Sequence, residues 1–133
     1  MRVPILLIIE DDSDWRSKLS KYLQPEGYQI EAVGSYDEAL GKVQKREVDL
    51  LVVDLRLGEE DADVAGGMTL LKDAKDKEIP AVVVKAHGTL ERIRQAYRDF
   101  SVESFFDKKT LEPAKLRQAV RSSLAKGHTS RGT

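Results

Sequence analysis

Short apolar runs alternate along this chain with longer stretches in which apolar residues recur every three or four positions. The runs are Val3 to Ile9, Tyr28 to Val33, Leu50 to Val53, Ala81 to Val84 and Val102 to Phe106. Runs of that length, rich in Val, Leu and Ile and bounded by turn residues, predict strands, the Val/Leu runs being buried on both faces of a sheet. Between them lie helical patterns. Trp15, Leu19, Tyr22 and Leu23 share one helix face, with Ser13 as the expected N-cap, Asp14 in the first turn, and Pro25 and Gly27 as the stop. Ser35-Tyr36-Asp37-Glu38 fits a capping box, followed by a core face of Tyr36, Ala39, Leu40 and Val43. Met68 to Lys77 predicts a third helix, with Leu70, Leu71 and Ala74 inward. A fourth starts at Gly88-Thr89 with Leu90, Ile93, Tyr97 and Phe100. Thr110 is the expected cap of a fifth, built on Leu116, Ala119, Val120 and Leu124 and stopped by Gly127.

Five strands alternating with five helices predict an α/β fold, a doubly wound five-stranded parallel sheet with right-handed crossovers and helices on both faces. One domain over residues 1–127 is expected, with 128–133 a flexible tail. The acidic, glycine-bounded stretch from Gly58 to Gly67 reads as a solvated loop.

Composition narrows the function classes. The 133 residues contain no cysteine, which excludes disulfides, thiol chemistry and zinc–thiolate sites. The longest apolar run is too short to span a bilayer and its acidic follow-on is wrong for a secretory signal, so a cytoplasmic protein without membrane association is expected. The net charge of −1 hides an asymmetry: residues 1–66 carry 15 acidic and 8 basic side chains, residues 67–133 carry 8 and 14. The basic half could face an acidic partner. It lacks the aromatic-interleaved patch or helix-turn-helix pattern that would point to nucleic acid.

The chemistry is at the strand ends. The first strand ends on Glu10, Asp11 and Asp12 and the third on Asp54, while Lys85 follows the fourth and Lys108 the fifth. In a parallel sheet those ends share one edge, where open α/β sheets place their ligands. Clustered carboxylates need a cation or a proton, and an oxygen-only set suits Mg²⁺. Asp12 is better placed as a helix-start carboxylate than as a ligand.

At these residues, and in order and spacing over residues 3 to about 126, the sequence resembles the receiver domain of two-component response regulators, whose fold is flavodoxin-like. The resemblance implies that Glu10 and Asp11 are the acidic pair for Mg²⁺, with Asp11 the direct ligand. It makes Asp54 a further ligand and the phosphoacceptor, places the backbone carbonyl of Arg56 on the metal, and pairs Lys108 with the phosphoryl group. It implies a histidine kinase or phosphotransfer protein as phosphodonor. A downstream protein would dock on the face of the fourth helix, fifth strand and last helix, where Arg92, Arg94, Arg98, Arg117 and Arg121 would meet an acidic partner or a second copy forming a homodimer. No output domain is expected after residue 127, so the reading is a single-domain phosphorelay regulator rather than an enzyme.

Four departures separate the chain from the family pattern. Lys85 stands where the family has Thr or Ser, Lys109 where it usually has proline, and Phe105 at the aromatic switch position. The loop after Asp54 is also longer than is common. A pseudo-receiver, an interaction module not switched by phosphorylation, is therefore the alternative. With Lys85 able to reach Asp54, weaker dependence on Mg²⁺ is expected; a Lys85 pointing into solvent would change nothing. Other signals fail. The stretch from Asp61 lacks the bidentate glutamate of a calcium loop, Gly66-Gly67 has no Walker context, and Arg56 occupies the place of the second aspartate of a haloacid dehalogenase. His87, His128 and Ser122-Ser123 form no nucleophile–base pair.

Overall fold

The computed structural model describes residues 2–54, 61–85, 98, 100 and 102–126, with 61–65 described for the backbone only. Five strands form one parallel sheet: β1 (Ile5–Ile9), β2 (Gln29–Val33), β3 (Leu50–Val53), β4 (Ala81–Lys85) and β5 (Val102–Asp107). Their order is β2-β1-β3-β4-β5, so the winding reverses between β1 and β3 and opens a crevice at their carboxyl ends. Register across that crevice is fixed by Leu7 opposite Leu51 and Ile9 opposite Val53.

Among the described residues there are four α-helices: α1 (Ser13–Leu23), α2 (Tyr36–Gln44), α3 (Asp61–Asp76) and the C-terminal α4 (Pro113–Lys126). The helix expected from Gly88-Thr89 lies outside the described residues except for Arg98 and Phe100, as do Arg56, Arg92, Arg94 and the tail. Strand alternation divides the core in two. Leu7, Ile9, Leu51, Val53, Ala81 and Val83 pack with Ala39 and Val43 of α2 and Leu70, Leu71 and Ala74 of α3. Leu6, Ile8, Leu50, Val52, Val82 and Val84 pack with Leu19 and Leu23 of α1 and Leu116 and Val120 of α4. Both faces are covered, which is why the three central strands are apolar up to Lys85 at the end of β4.

Three expectations are corrected. The cap of α1 is Asp12, whose carboxylate accepts from the amides of Asp14 and Trp15. An aspartate at this position wins because its side chain reaches amides two and three residues ahead. The last helix begins at Pro113, with Thr110 still in the preceding turn. Proline fixes a helical φ and lacks the amide that a first turn cannot satisfy. Residues 61–67, read as a solvated loop, belong to α3. A glycine costs a helix interior roughly 0.5–1 kcal/mol against alanine, and at Gly66 packing requires it. A Cβ on Gly66 would lie 2.9 Å from Cδ2 of Tyr36.

Two arginines of the expected docking face have partners within the chain. Arg117 donates to the carbonyl of Tyr22 (3.1 Å), and Arg121 pairs with Glu26 (2.5 Å). Both are engaged with the α1 side of the molecule, because α4 turns that flank toward α1 to bury Leu116 and Val120 beside Leu19 and Leu23.

Candidate functional site

The sheet edge gathers acids from two strands and a lysine from a third. Asp54 is the first residue after β3, and its amide donates to the carbonyl of Ile9 (2.9 Å), so β1 holds the end of β3. Glu10 follows β1 directly and is 2% exposed; its amide donates to Val33 O (3.1 Å). Oxygens of Glu10, Asp11 and Asp54 lie within 4.8 Å of one another.

Each carboxylate meets a different environment. Oε2 of Glu10 accepts from the Asp12 amide (3.1 Å), and Oε1 accepts from Lys108 Nζ. Asp11 is exposed at the mouth. The Asp54 carboxyl is pushed up to about 7 by burial first and by the neighbouring Glu10 second, against the opposing pull of Lys108. A second carboxylate in the same desolvated space makes a further negative charge on Asp54 costly, which favours its protonated form.

Lys108 is the positive member. Its Nζ lies 3.7 Å from Asp54 Oδ2 and 4.9 Å from the centroid of the Trp15 ring. Lys18 Nζ also lies over that ring, at 4.5 Å. The Lys108 ammonium therefore sits between Glu10, Asp54 and an indole face, all of which favour a cation. Its backbone amide donates to Lys85 O (2.9 Å), so β4 fixes where the lysine leaves β5. Lys85 itself ends β4 with a side chain 0% exposed, which rules out the expectation that it points into solvent. Alternation places it on the sheet face of Ala81 and Val83, beside its register partner Asp107.

Two residues that hold this edge were not legible as functional. Arg16 Nη1 donates to the carbonyls of Glu10 (2.8 Å) and Asp11 (3.1 Å), clamping the acidic turn; its sequence offers no sign of this beyond a basic residue in the first turns of α1. Tyr36, expected as a core aromatic, donates its hydroxyl to the carbonyl of Asp54 (2.7 Å). The only available signal was a tyrosine where phenylalanine would have sufficed, since a partly buried phenol needs a partner.

An oxygen donor set with no nitrogen or sulfur fits a hard cation such as Mg²⁺. Asp11 and Asp54 have the geometry to meet it directly. Glu10, with both oxygens engaged by the chain, is suited to contact through water.

Comparison with known proteins agrees with this architecture. Residues 6–121 match the family model for the response regulator receiver domain. The regulatory protein LuxO of Vibrio cholerae is 30% identical over 125 residues, covering 90% of this chain and 25% of that protein. The nitrogen assimilation regulatory protein NtrX of Azorhizobium caulinodans is 28% identical over 142 residues, covering 96% and 31%. The chain thus spans a quarter to a third of the length of these regulators. A putative response regulator from Chloroflexus aurantiacus superposes with TM-score 0.76 at 27% identity, covering 93% of this chain and 99% of that one. A CheY-like receiver domain protein from Methanospirillum hungatei gives 0.77 at 21% identity, covering 94% and 96%. With the family pattern matched across most of its length, the chain belongs to the response regulator receiver domains.

Proposed function

We propose that this chain is a phosphorelay receiver that accepts a phosphoryl group on Asp54 and signals by protein–protein contact. The observation that carries the reading is the Asp54 carboxyl at the end of β3, with Lys108 Nζ 3.7 Å away and Glu10 and Asp11 within 4.8 Å. Receiver domains interact with histidine kinases or phosphotransfer proteins, and such a protein is the proposed donor, with the exchange placed in the cytoplasm.

In the transfer, an Asp54 oxygen attacks phosphorus in line, the bond from phosphorus to the donor atom breaks, and the donor leaves with that electron pair. Such transfer depends mainly on positioning and on neutralising the equatorial oxygens. Mg²⁺, held by Glu10, Asp11, Asp54 and the carbonyl of Arg56, would supply positive charge to the carboxylates and to the phosphoryl oxygens. Lys108 supplies a second positive charge from within the chain and is free to exchange Glu10 for a phosphoryl oxygen. Asp54, held near 7, must lose its proton to act as nucleophile, and the cations favour that loss.

We further propose Lys85 as a third cation at this edge. Its burial at the end of β4 and its carbonyl bond to Lys108 support that role. The pseudo-receiver is the second reading, favoured by Lys85 itself, because a lysine cannot repeat the inward movement of a small hydroxyl side chain. For the downstream partner, Arg117 is engaged with the carbonyl of Tyr22, while Arg98 and Arg121 are exposed and are the described arginines of that face placed to meet an acidic surface.

The deciding experiment is intact-mass analysis after incubation with acetyl phosphate and Mg²⁺. One phosphoryl adduct is expected on the wild type and none on Asp54→Asn. An unmodified wild type, under conditions that label another receiver, selects the pseudo-receiver.

A further inference from the structure

We propose that Tyr36 is a positioning residue for the phosphoacceptor, acting through the backbone of Asp54; this rests on the reading of Asp54 as the phosphorylated residue. Asp54 lies just beyond β3, where the ladder that orders Leu50 to Val53 gives out. Its amide is still tied to Ile9 O at 2.9 Å. Its carbonyl accepts from the Tyr36 hydroxyl at 2.7 Å. The residue is pinned on both sides of its Cα, so the direction of its carboxyl toward Lys108 and the acidic turn is set before any donor arrives. In-line attack depends on such prior placement, and a small misplacement of the reacting atom costs far more than the contact that prevents it.

The local sequence explains how a helix residue reaches that carbonyl. Ser35 caps α2 by accepting from the Glu38 amide, which makes Tyr36 the first helical residue and brings it to the edge of the sheet where β3 ends. Its ring then lies against Gly66, where an added Cβ would meet Cδ2 at 2.9 Å, and Cβ and Cγ at 3.6 Å. The glycine in α3 is thereby explained as well: it admits the ring that carries the hydroxyl to Asp54. A tyrosine kept only for apolar packing would not need the hydroxyl contact. The Tyr36 hydroxyl meets the Asp54 carbonyl and not its carboxyl, so the effect proposed is on the angle at which Asp54 is presented.

The test measures acetyl phosphate labelling of the full chain by intact mass, as a function of donor concentration, in wild type, Tyr36→Phe, Gly66→Ala and the double variant. Tyr36→Phe keeps the ring and removes the hydroxyl. Its maximal labelling rate should fall about five- to tenfold, the loss of one hydrogen bond's worth of orientation. The donor concentration at half-maximal rate and the thermal midpoint should stay near wild type, a split that a merely structural role would not give. Gly66→Ala, by displacing the ring, should cause a similar loss. The double variant should be no slower than Tyr36→Phe, because both changes break the same bond. Labelling of Tyr36→Phe at the wild-type rate overturns the proposal, and so do losses that multiply in the double variant. A wild type that takes no label overturns the phosphoacceptor reading and this proposal with it, whereas a labelled wild type matched by Tyr36→Phe overturns the proposal alone.

Discussion

Replacing Asp54 with asparagine should stabilise the metal-free protein, and by an amount that grows with pH. Asp54 titrates at about 7 in the folded chain against an ordinary 3.8. A carboxyl whose pKa is raised on folding adds stability that is complete below 3.8 and is lost as pH rises toward 7, since in that window the native state binds the extra proton. At 1.36 kcal/mol per unit, the full gap costs roughly 4 kcal/mol at pH 8.5 and less than half of that at pH 5. Asparagine removes the titration, and its amide can donate to Glu10 as a protonated carboxyl can. The expected gain is therefore roughly 4 kcal/mol at pH 8.5 and less than half of that at pH 5. Urea unfolding of wild type and Asp54→Asn in EDTA, followed by circular dichroism at both pH values, measures the two differences. Saturating Mg²⁺ at pH 8.5 should shrink the gain, because a cation that binds only the folded wild type restores stability by mass action. A substitution that changes stability equally at the two pH values would refute the account of Asp54 as a desolvated, Glu10-repelled carboxyl.

Mg²⁺ should change the fluorescence of Trp15, whose ring faces Lys108 Nζ at 4.9 Å, and Asp11→Asn should weaken that response at least several-fold; an unchanged titration would remove Asp11 from the ligand set. Lys85→Thr should tighten Mg²⁺ binding and enlarge the conformational response to beryllofluoride, with identical behaviour of the two proteins showing Lys85 to be a bystander. Arg16→Met should loosen the turn carrying Glu10 and Asp11 and weaken Mg²⁺ binding, while leaving the unfolding free energy within about 1 kcal/mol of wild type; calorimetry gives the affinity. Leu51→Ala, at a fully buried position in β3, should cost roughly 2–5 kcal/mol in urea unfolding, and a loss below 1 kcal/mol would contradict the packing described for that face.

What the sequence determined by itself is what depends on near neighbours. The apolar runs set the five strands to within two residues at each end, because burial on both faces leaves no polar position inside Leu50 to Val53 or Ala81 to Val84. Ser35 and Glu38 set the start of α2 through bonds spanning three residues. The acids after β1 and β3 were visible because they break apolar runs, and the parallel alternation of elements requires those ends to share an edge. The tertiary structure decided everything that turns on a distant partner. Gly66-Gly67 looked like a loop from its own neighbourhood and lies in α3, where the Tyr36 ring, thirty positions earlier, leaves no room for a Cβ on Gly66. Arg117 and Arg121 looked like a free surface until the packing of α4 on α1 set Tyr22 O and Glu26 before them. Lys85 could have gone to solvent or inward, and only the placement of β4 between β3 and β5 committed it to burial. The hydroxyl of Tyr36 and the guanidinium of Arg16 find backbone carbonyls, which leave no mark in a sequence because every residue has one.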